Sequence, residues 1–522
     1  MTGNIVRTHD RDGISSKEKE KDIPIHPGEL KCEEPKLATD WSAHVEPIMP
    51  LRSDHFLIPV LPYGPNNQLR GFRETIILAI KLNRTVVMPP FYKHRSDPSP
   101  GEISFPWRKV DENMLRKFIT VASAEMMATA CGGKFDVALT AREESSDAAG
   151  KVKRIQQLET FAGMKAFDEN TKFLMDEILE MEHVESAKNG MMFLPLEAEK
   201  LQQVYPTDEK CALWLFPYRN IDLTKLLIKR KRKNDKNFDP DNPERPSGQD
   251  DDAAIISNVM HYSPRPQFIR DAASAFVADV IGTWDMVAMH WRYDEKDFMV
   301  HCQKGAGNTD KCDQLADVDP QVVAKNLAIY SNSVRSYGRY DAKIVYIAAP
   351  PSELELILKL KATIVEKLNV KVFTFEDVDG YLKKKFEGCA PIMDYYHDFV
   401  SLVEMEICSN AGSFVRSDAS SWSKNIHLER LVRKKTRHDK PNEILISDDW
   451  TPDYWHPINE HILESLAKNA EEEAKINAER AEAGYAARNL ADLAKKELEA
   501  RKNGKVAGRK VHDENEKLAH EK

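Results

Sequence analysis

One stretch near residue 60 constrains the fold more than any other. A short apolar run at 56–61 ends in the turn Tyr63-Gly64-Pro65, and apolar side chains then recur near helical spacing over 68–83. A second apolar run at 85–88 ends at two prolines. Strand, turn, helix and strand within about thirty residues form a βαβ unit, whose two strands lie parallel in one sheet. The sequence therefore predicts an α/β domain in this region.

The same alternation of strands and helices returns after residue 260. The predicted elements there are, in chain order, helix 266–282, strand 286–289, helix 321–337, strand 344–348, helix 351–368 and strand 370–375. This pattern predicts a second α/β domain. Ligands of such domains bind outside the carboxyl ends of the strands, here in a cleft between two sheets.

The length of 522 residues also favours two cores with appendages, because one core rarely exceeds ~250–300 residues. We expect a flexible charged arm over 1–45 and a first domain over 46–260, which carries a disordered insertion at 228–252. The second domain is expected over 261–457, and a charged helical tail over 458–522. The basic run in the insertion favours a solvated loop over nuclear import, because acidic residues follow it at once. The tail favours a solvated helix over an oligomerisation helix, and the oligomeric state stays open.

Charge and hydropathy exclude several classes of protein. The net charge of −9 gives no electrostatic case for binding nucleic acid. No apolar run reaches the ~20 residues that a membrane-spanning helix needs, and the first forty residues show no signal peptide. The seven cysteines form no Cys-x-x-Cys motif, which argues against zinc and thioredoxin-like sites. Buried thiols and one or two disulfides remain equally compatible with their spacing.

Three polar motifs follow predicted strands. The first, Asn66-Asn67-Gln68, opens the first helix, where backbone amides and asparagine side chains suit an anion or a sugar, or simply cap the helix. The second is His290-Trp291-Arg292, in which strand alternation places His290 and Arg292 on one face. A guanidinium at a strand end suits a diphosphate, although a pairing with a nearby aspartate fits equally well. The third, at 413–423, places clustered hydroxyls before a helix, as phosphate sites do.

Together these motifs resemble the GDP-fucose protein O-fucosyltransferase family. The most specific match is Leu82-Asn83-Arg84-Thr85, a strand entrance that leads to the paired prolines. His290-x-Arg292 is similar to the family's His-x-Arg element, and 414–423 is similar to its last donor loop. The resemblance extends over about 50–450.

The resemblance implies a GT-B fold, in which two Rossmann-like domains face each other across a cleft. It further implies that fucose is transferred from GDP-fucose, with inversion and without a metal or other cofactor, to Ser or Thr hydroxyls of an acceptor protein domain. Carried over to this chain, Arg292 would stabilise the leaving diphosphate and Asn67 would lie beside the reacting sugar. Asn66 and His290 would help to bind the donor.

The remaining donor contacts follow from the same resemblance. Ser420 and Ser421 would hold the β-phosphate. Sixteen positions before Ser420, where the family has an aspartate that reads guanine, this chain has Glu404. A carboxylate there can accept hydrogen bonds from guanine N1–H and N2–H₂ together, which selects guanine over adenine.

Other functions fit parts of the sequence. A catalytically silent homologue could bind a nucleotide sugar or glycan in the same cleft, and a scaffold could act through the tail. A metal-dependent transferase would use Asp-x-Asp, and the matches to it are Asp239-Pro240-Asp241, Asp317-Val318-Asp319 and Asp377-Val378-Asp379. Such matches arise by chance in an acidic chain, so no metal site is expected. The family resemblance implies the endoplasmic reticulum or Golgi lumen, whereas the missing signal peptide favours the cytoplasm.

Overall fold

The computed structural model describes two α/β domains and the contacts between them. The described residues are 32, 38–94, 101–140, 148–165, 171–174, 194, 196–223, 227, 251–291, 320–321, 323–324, 327, 343–417, 420–437 and 443–446. The predicted tail, nearly all of the predicted insertion, and most of the predicted helix 321–337 lie outside them. No helix among the described residues is both long enough and apolar enough to cross a membrane.

The first domain is built on a six-stranded sheet in the order β5-β2-β1-β8-β6-β7, and every pairing in it is parallel. Its strands are β1 (Phe56–Val60), β2 (Thr85–Val87), β5 (Val121–Ala122), β6 (Val137–Thr140), β7 (Lys172–Leu174) and β8 (Cys211–Leu215), with a separate hairpin of β3 (Phe91–Tyr92) and β4 (Ile103–Ser104). Its helices are α1 (Pro65–Lys81), α2 (Glu112–Phe118), α3 (Ala124–Cys131), α4 (Ala148–Ala162), α5 (Ala198–Val204) and α6 (Asp251–Tyr262). The predicted βαβ unit is confirmed as β1, α1 and β2.

The second domain is built on a five-stranded parallel sheet in the order β11-β10-β9-β12-β13. Its strands are β9 (Val287–His290), β10 (Ile344–Ala348), β11 (Lys371–Thr374), β12 (Ser413–Ser417) and β13 (Glu443–Ile446). Its helices are α7 (Gln267–Phe276), α8 (Leu354–Leu368), α9 (Phe375–Lys385), α10 (Ala390–Met393), α11 (Tyr396–Asn410) and α12 (Ser421–Arg437). Counted within the domain this order is 3-2-1-4-5, the order of a Rossmann sheet, and the predicted pair of Rossmann-like domains is confirmed.

The predicted helix 266–282 is helical from Gln267 to Ile281 but changes its type along the way. The α-helix ends at Phe276, and a π-helical turn over Val277–Ile281 follows it. Gly282 then stops the segment with φ 89°, a left-handed conformation that glycine adopts without a Cβ clash.

The described part of the predicted arm over 1–45 contacts both domains. The guanidinium of Arg116 donates to the carbonyl of Asp40 at 2.7 Å and lies 5.1 Å from the Trp41 ring. Cys32 forms a disulfide with Cys389 of the second domain. Residues 38–45 are therefore fastened to the first domain, and residue 32 is bonded covalently to the second.

The last described helix does not stay within the second domain, although the sequence places it there. Trp422 and Ile426 at the start of α12 belong to the apolar core of the second domain. Leu428 and Val432, further along the helix, are buried in the core of the first domain together with α1 and α6. An apolar helix face is visible in a sequence, but the core that it joins is not. Helix α12 therefore bridges the two domains.

A buried ionic cluster lies where α12 passes between the domains. The carboxylate of Glu429 accepts hydrogen bonds from Arg73 of α1 at 2.7 Å and from Arg265, before α7, at 2.6 and 3.1 Å. Ser409 of α11 also donates to Glu429, at 3.1 Å, and Glu406 accepts from Arg265 at 2.7 Å. Glu429 thus contacts residues of both domains, and all five of these residues are buried.

Candidate active site

The polar residues of the second domain gather where its strand order reverses. From β9 the chain proceeds outward through β10 and β11, and it then returns to place β12 on the other side of β9. The carboxyl ends of β9 and β12 border the crevice that forms at such a reversal, which is where Rossmann-like sheets bind nucleotides. His290 is the last residue of β9, and Ser420 and Ser421 follow β12.

His290 is held firmly against the start of α12. It is buried, its Nδ1 lies 2.7 Å from Ser423 Oγ, and its ring stacks on Trp422 with centroids 4.1 Å apart. Both partners were within the predicted loop 413–423, but sequence alone did not identify them as histidine contacts. The stack fixes the position of His290 before any ligand binds.

Ser420 and Ser421 open the long helix α12. Ser420 is buried, and its Oγ accepts a hydrogen bond from the Ser423 amide at 3.4 Å, so it already caps the helix. Ser421 is half-buried at the first helical position. The positive end of the helix and these hydroxyls suit a phosphate.

Glu404 lies inside the second domain, on helix α11. Its side chain is buried, and its Oε1 accepts a hydrogen bond from Tyr346 Oη at 2.8 Å. Burial raises the pKa of Glu404 to about 8, although the Tyr346 hydrogen bond acts against that rise. One turn earlier on the same helix, Ser401 accepts a hydrogen bond from Trp422 Nε1 at 3.2 Å, which joins this face of α11 to the His290 contact.

The first motif forms the start of α1, and each of its residues has a distinct environment. Gln68 is fully buried. Its Nε2 donates to the carbonyls of Tyr63 at 2.7 Å and Tyr92 at 3.1 Å, and its Oε1 accepts from the Tyr92 amide at 2.7 Å. The Asn67 amide donates to the Gly64 carbonyl at 3.0 Å. The side-chain Oδ1 of Asn67 is buried and has no hydrogen-bond partner among the described residues. An unpaired buried acceptor of this kind fits a hydroxyl donor on a ligand.

Backbone strain concentrates beside this motif. Tyr63, Phe216 and Arg219 have φ values of 60°, 54° and 57°, and all three follow the adjacent parallel strands β1 and β8. The other described residues with positive φ, apart from glycines, are asparagines that follow helices α1 and α8. Bulky residues adopt this conformation at a cost of about 1–3 kcal/mol, and such strain is typical of functional sites.

One hydrogen bond joins the two halves of the site. Asn425 of α12 donates through Nδ2 to the carbonyl of Asn66 at 2.8 Å. The structure therefore brings the first motif into contact, across the domain boundary, with the helix that follows the third motif. Asn425 itself was missed, because a single asparagine inside a helix carries no sequence signal.

Arg292 and the Asp-x-Asp matches were also candidates from the sequence. Arg292 lies outside the described residues. Of the three Asp-x-Asp matches, only Asp377-Val378-Asp379 lies within them. Asp377 accepts from the amide of Thr374, the N-cap of α9, at 2.8 Å and so completes a capping box. This geometry explains that match by helix capping.

The chain is similar to one protein family and to several solved structures. The family model of the GDP-fucose protein O-fucosyltransferases matches residues 63–433. Similar solved structures include POFUT1 with GDP (13% identity, 75% of this chain and 98% of that chain, TM-score 0.46) and POFUT1 with GDP-fucose (12%, 76% and 98%, 0.45). A mutant of Arabidopsis thaliana FUT1 with GDP is also similar (9%, 75% and 70%, 0.33). Among curated proteins, none matches the chain.

Proposed function

Because this chain belongs to the GDP-fucose protein O-fucosyltransferase family, we propose that it transfers fucose from GDP-fucose to a Ser or Thr hydroxyl of an acceptor protein. One observation carries the proposal. His290, Ser420 and Ser421 meet at the carboxyl edge of the second sheet, and Asn425 joins them to the Asn66–Asn67 turn of the first domain. GDP-fucose would span this junction, with its diphosphate at His290, Ser420 and Ser421 and its fucose at the Asn66–Asn67 turn.

The proposed reaction is a displacement at the anomeric carbon of fucose. The bond from that carbon to the β-phosphate oxygen breaks, GDP leaves with the bonding electron pair, and the acceptor oxygen bonds to the opposite face and releases its proton to solvent water. Ser421 and the amides at the start of α12 would hold the β-phosphate, and Arg292 would meet the charge that develops there. Asn67 Oδ1 would accept a hydrogen bond from a fucose hydroxyl. We assign no general base, and departure of GDP would precede attack.

Hydrolysis of GDP-fucose by the purified chain tests this proposal without a known acceptor. Water then replaces the acceptor hydroxyl, and release of GDP and free fucose is measured. Binding of GDP-fucose without release of either product would favour the silent nucleotide-sugar binder instead.

The proposed reaction needs no metal, so activity is expected to survive EDTA. The positive end of α12 and the guanidinium of Arg292 would supply the charge that a divalent ion supplies elsewhere. The measurement is GDP release from GDP-fucose with and without EDTA, with added manganese as the control. An absolute requirement for manganese would reject this part of the proposal.

Guanine selectivity is expected to depend on Glu404. GDP should raise the melting temperature, whereas ADP and UDP should not, because a ligand that binds only the folded chain stabilises it. Above pH 8, where this carboxyl is ionised in the free protein, Glu404→Gln should weaken GDP binding by about 1.5–3 kcal/mol, since it loses a charged acceptor. Equal shifts with all three nucleotides would reject this role.

The same residue gives the GDP affinity a pH dependence with a defined sign. Burial raises the pKa of Glu404 to about 8, so the free protein holds this carboxyl protonated below that pH. Accepting from both guanine donors requires the ionised form. GDP affinity should therefore fall about tenfold for each pH unit below 8, and Glu404→Gln should remove that component.

We place the protein in an oxidising compartment such as the endoplasmic reticulum or Golgi lumen. The support is that four of the five described cysteines form two disulfides, Cys32–Cys389 and Cys131–Cys211, while Cys408 is a buried free thiol. Disulfides of this kind are rare in reducing compartments. Cys302 and Cys312 lie outside the described residues.

A further inference from the structure

Asn425 occupies an unusual position between the two halves of the proposed site. It lies on α12, four residues after Ser421 and two after Ser423, and its side chain is only 1% exposed. Its amide nitrogen donates to the carbonyl of Asn66 in the first domain. The contact places a residue of α12, the proposed donor-binding helix, on the backbone of the proposed sugar-binding motif.

The peptide unit that Asn425 holds is the one that carries Asn67. The carbonyl belongs to Asn66 and the N–H of the same planar unit belongs to Asn67. That N–H donates to Gly64 at 3.0 Å, and the carbonyl accepts from Asn425 at 2.8 Å. Both polar atoms of the unit are therefore fixed, one by the local turn and the other by the opposite domain.

Helix α12 is itself anchored on both sides of this contact. Before Asn425, Ser423 and Trp422 hold His290 at the end of β9. After it, Glu429 binds Arg73 and Arg265. The amide of Asn425 therefore projects from a helix whose position is set by both domains.

We propose that Asn425 is a positioning residue that fixes Asn67 relative to the donor held at His290 and α12. The inference rests on the proposed function and extends it. Asn67 Oδ1 is the unpaired buried acceptor that the proposed function assigns to a fucose hydroxyl, and Asn425 would set the orientation of the backbone that carries it. Small displacements of such groups reduce the rate strongly while leaving binding of the remainder of the substrate intact.

The test is a double-mutant cycle on GDP-fucose hydrolysis by the full chain. Asn425→Ala should lower kcat by about tenfold to a hundredfold, while the KM for GDP-fucose and the GDP-induced rise in melting temperature stay close to wild type. The Asn67→Ala/Asn425→Ala double variant should be no slower than Asn67→Ala, because Asn425 acts through Asn67. Asn425→Leu keeps the side-chain volume and replaces the alanine variant in the cycle if that variant fails to fold.

Asn410 provides the control, because its Nδ2 also donates to a backbone carbonyl, that of Glu406, at 2.9 Å, and to the Glu406 carboxylate at 2.5 Å. Asn410→Ala should leave kcat unchanged. Two outcomes would overturn the inference: normal hydrolysis per folded Asn425 variant, or effects of the two single substitutions that multiply. A wild-type chain without any hydrolysis would instead reject the proposed function, and that result appears before any variant is made.

Discussion

Replacing Arg292 by alanine is expected to lower fucosyl transfer and GDP-fucose hydrolysis by about 10²–10³, equivalent to roughly 2.7–4 kcal/mol. Negative charge builds on the β-phosphate as GDP departs, and a fixed guanidinium meets that charge without reorganising. Arg292→Lys should recover little, because an ammonium cannot make two parallel hydrogen bonds to one diphosphate. Turnover and melting temperature are measured on the same preparation.

The alternative explanation for Arg292 is an ion pair with Asp294 or Asp297, which follow it closely in the sequence. In that case Arg292→Ala would mainly lower the melting temperature, and turnover per folded molecule would stay near wild type. Arg292 lies outside the described residues, so this prediction depends on the motif. His290, two residues earlier, is buried at the end of β9 and in contact with the start of α12.

Replacing Glu429 by alanine is expected to destabilise the protein by about 3–5 kcal/mol, because it leaves two buried guanidinium groups without their shared carboxylate. The side chains of Arg73 and Arg265 are each 1% exposed. Burial alone would lower the pKa of Arg265, but the carboxylates of Glu429 and Glu406 raise it above its ordinary value. Both arginines remain charged in the variant, so the free-energy cost of burying their charges remains and Glu429 no longer offsets it. Urea denaturation measures the free energy of unfolding.

Glu355→Ala is the control for this measurement. Glu355 forms an exposed ion pair with Lys359 on α8, and its removal should change stability little. Glu429→Gln keeps the shape and part of the hydrogen bonding, so its effect should lie between those of the two alanine variants. A Glu429→Ala variant as stable as wild type would show that the cluster does not join the domains energetically.

Periodicity and turn residues predicted much of the fold because they are local properties. The βαβ unit at 56–88 and the strand that ends at His290 lie within a few residues of where they were expected. Of the motif residues, His290 lies at the end of β9, and Ser420 and Ser421 follow β12. Each of these predictions needed only the spacing of apolar side chains along a single segment.

The remainder depends on contacts between segments far apart in the chain. The pattern of α12 shows an apolar face but does not show that Leu428 joins the core of the other domain. Three further features also arise from contacts between distant segments. They are the packing of Trp41 on Arg116, the raised pKa of Glu404 and the hydrogen bond from Asn425 to Asn66. Pairing of cysteines was equally open, since several combinations fit their spacing.

The disulfide between Cys32 and Cys389 has a consequence for the order in which the chain can complete its structure. Its two cysteines are 357 residues apart, and the Cys131–Cys211 pair lies wholly between them. At about 5–20 residues per second, Cys32 is synthesised roughly 20–70 s before its partner. During that interval only incorrect partners are within reach, and thiol–disulfide exchange must reverse any bond that Cys32 forms with them. The segment that contains Cys32 is therefore synthesised early, but its disulfide can form only after the second domain has brought Cys389 into position.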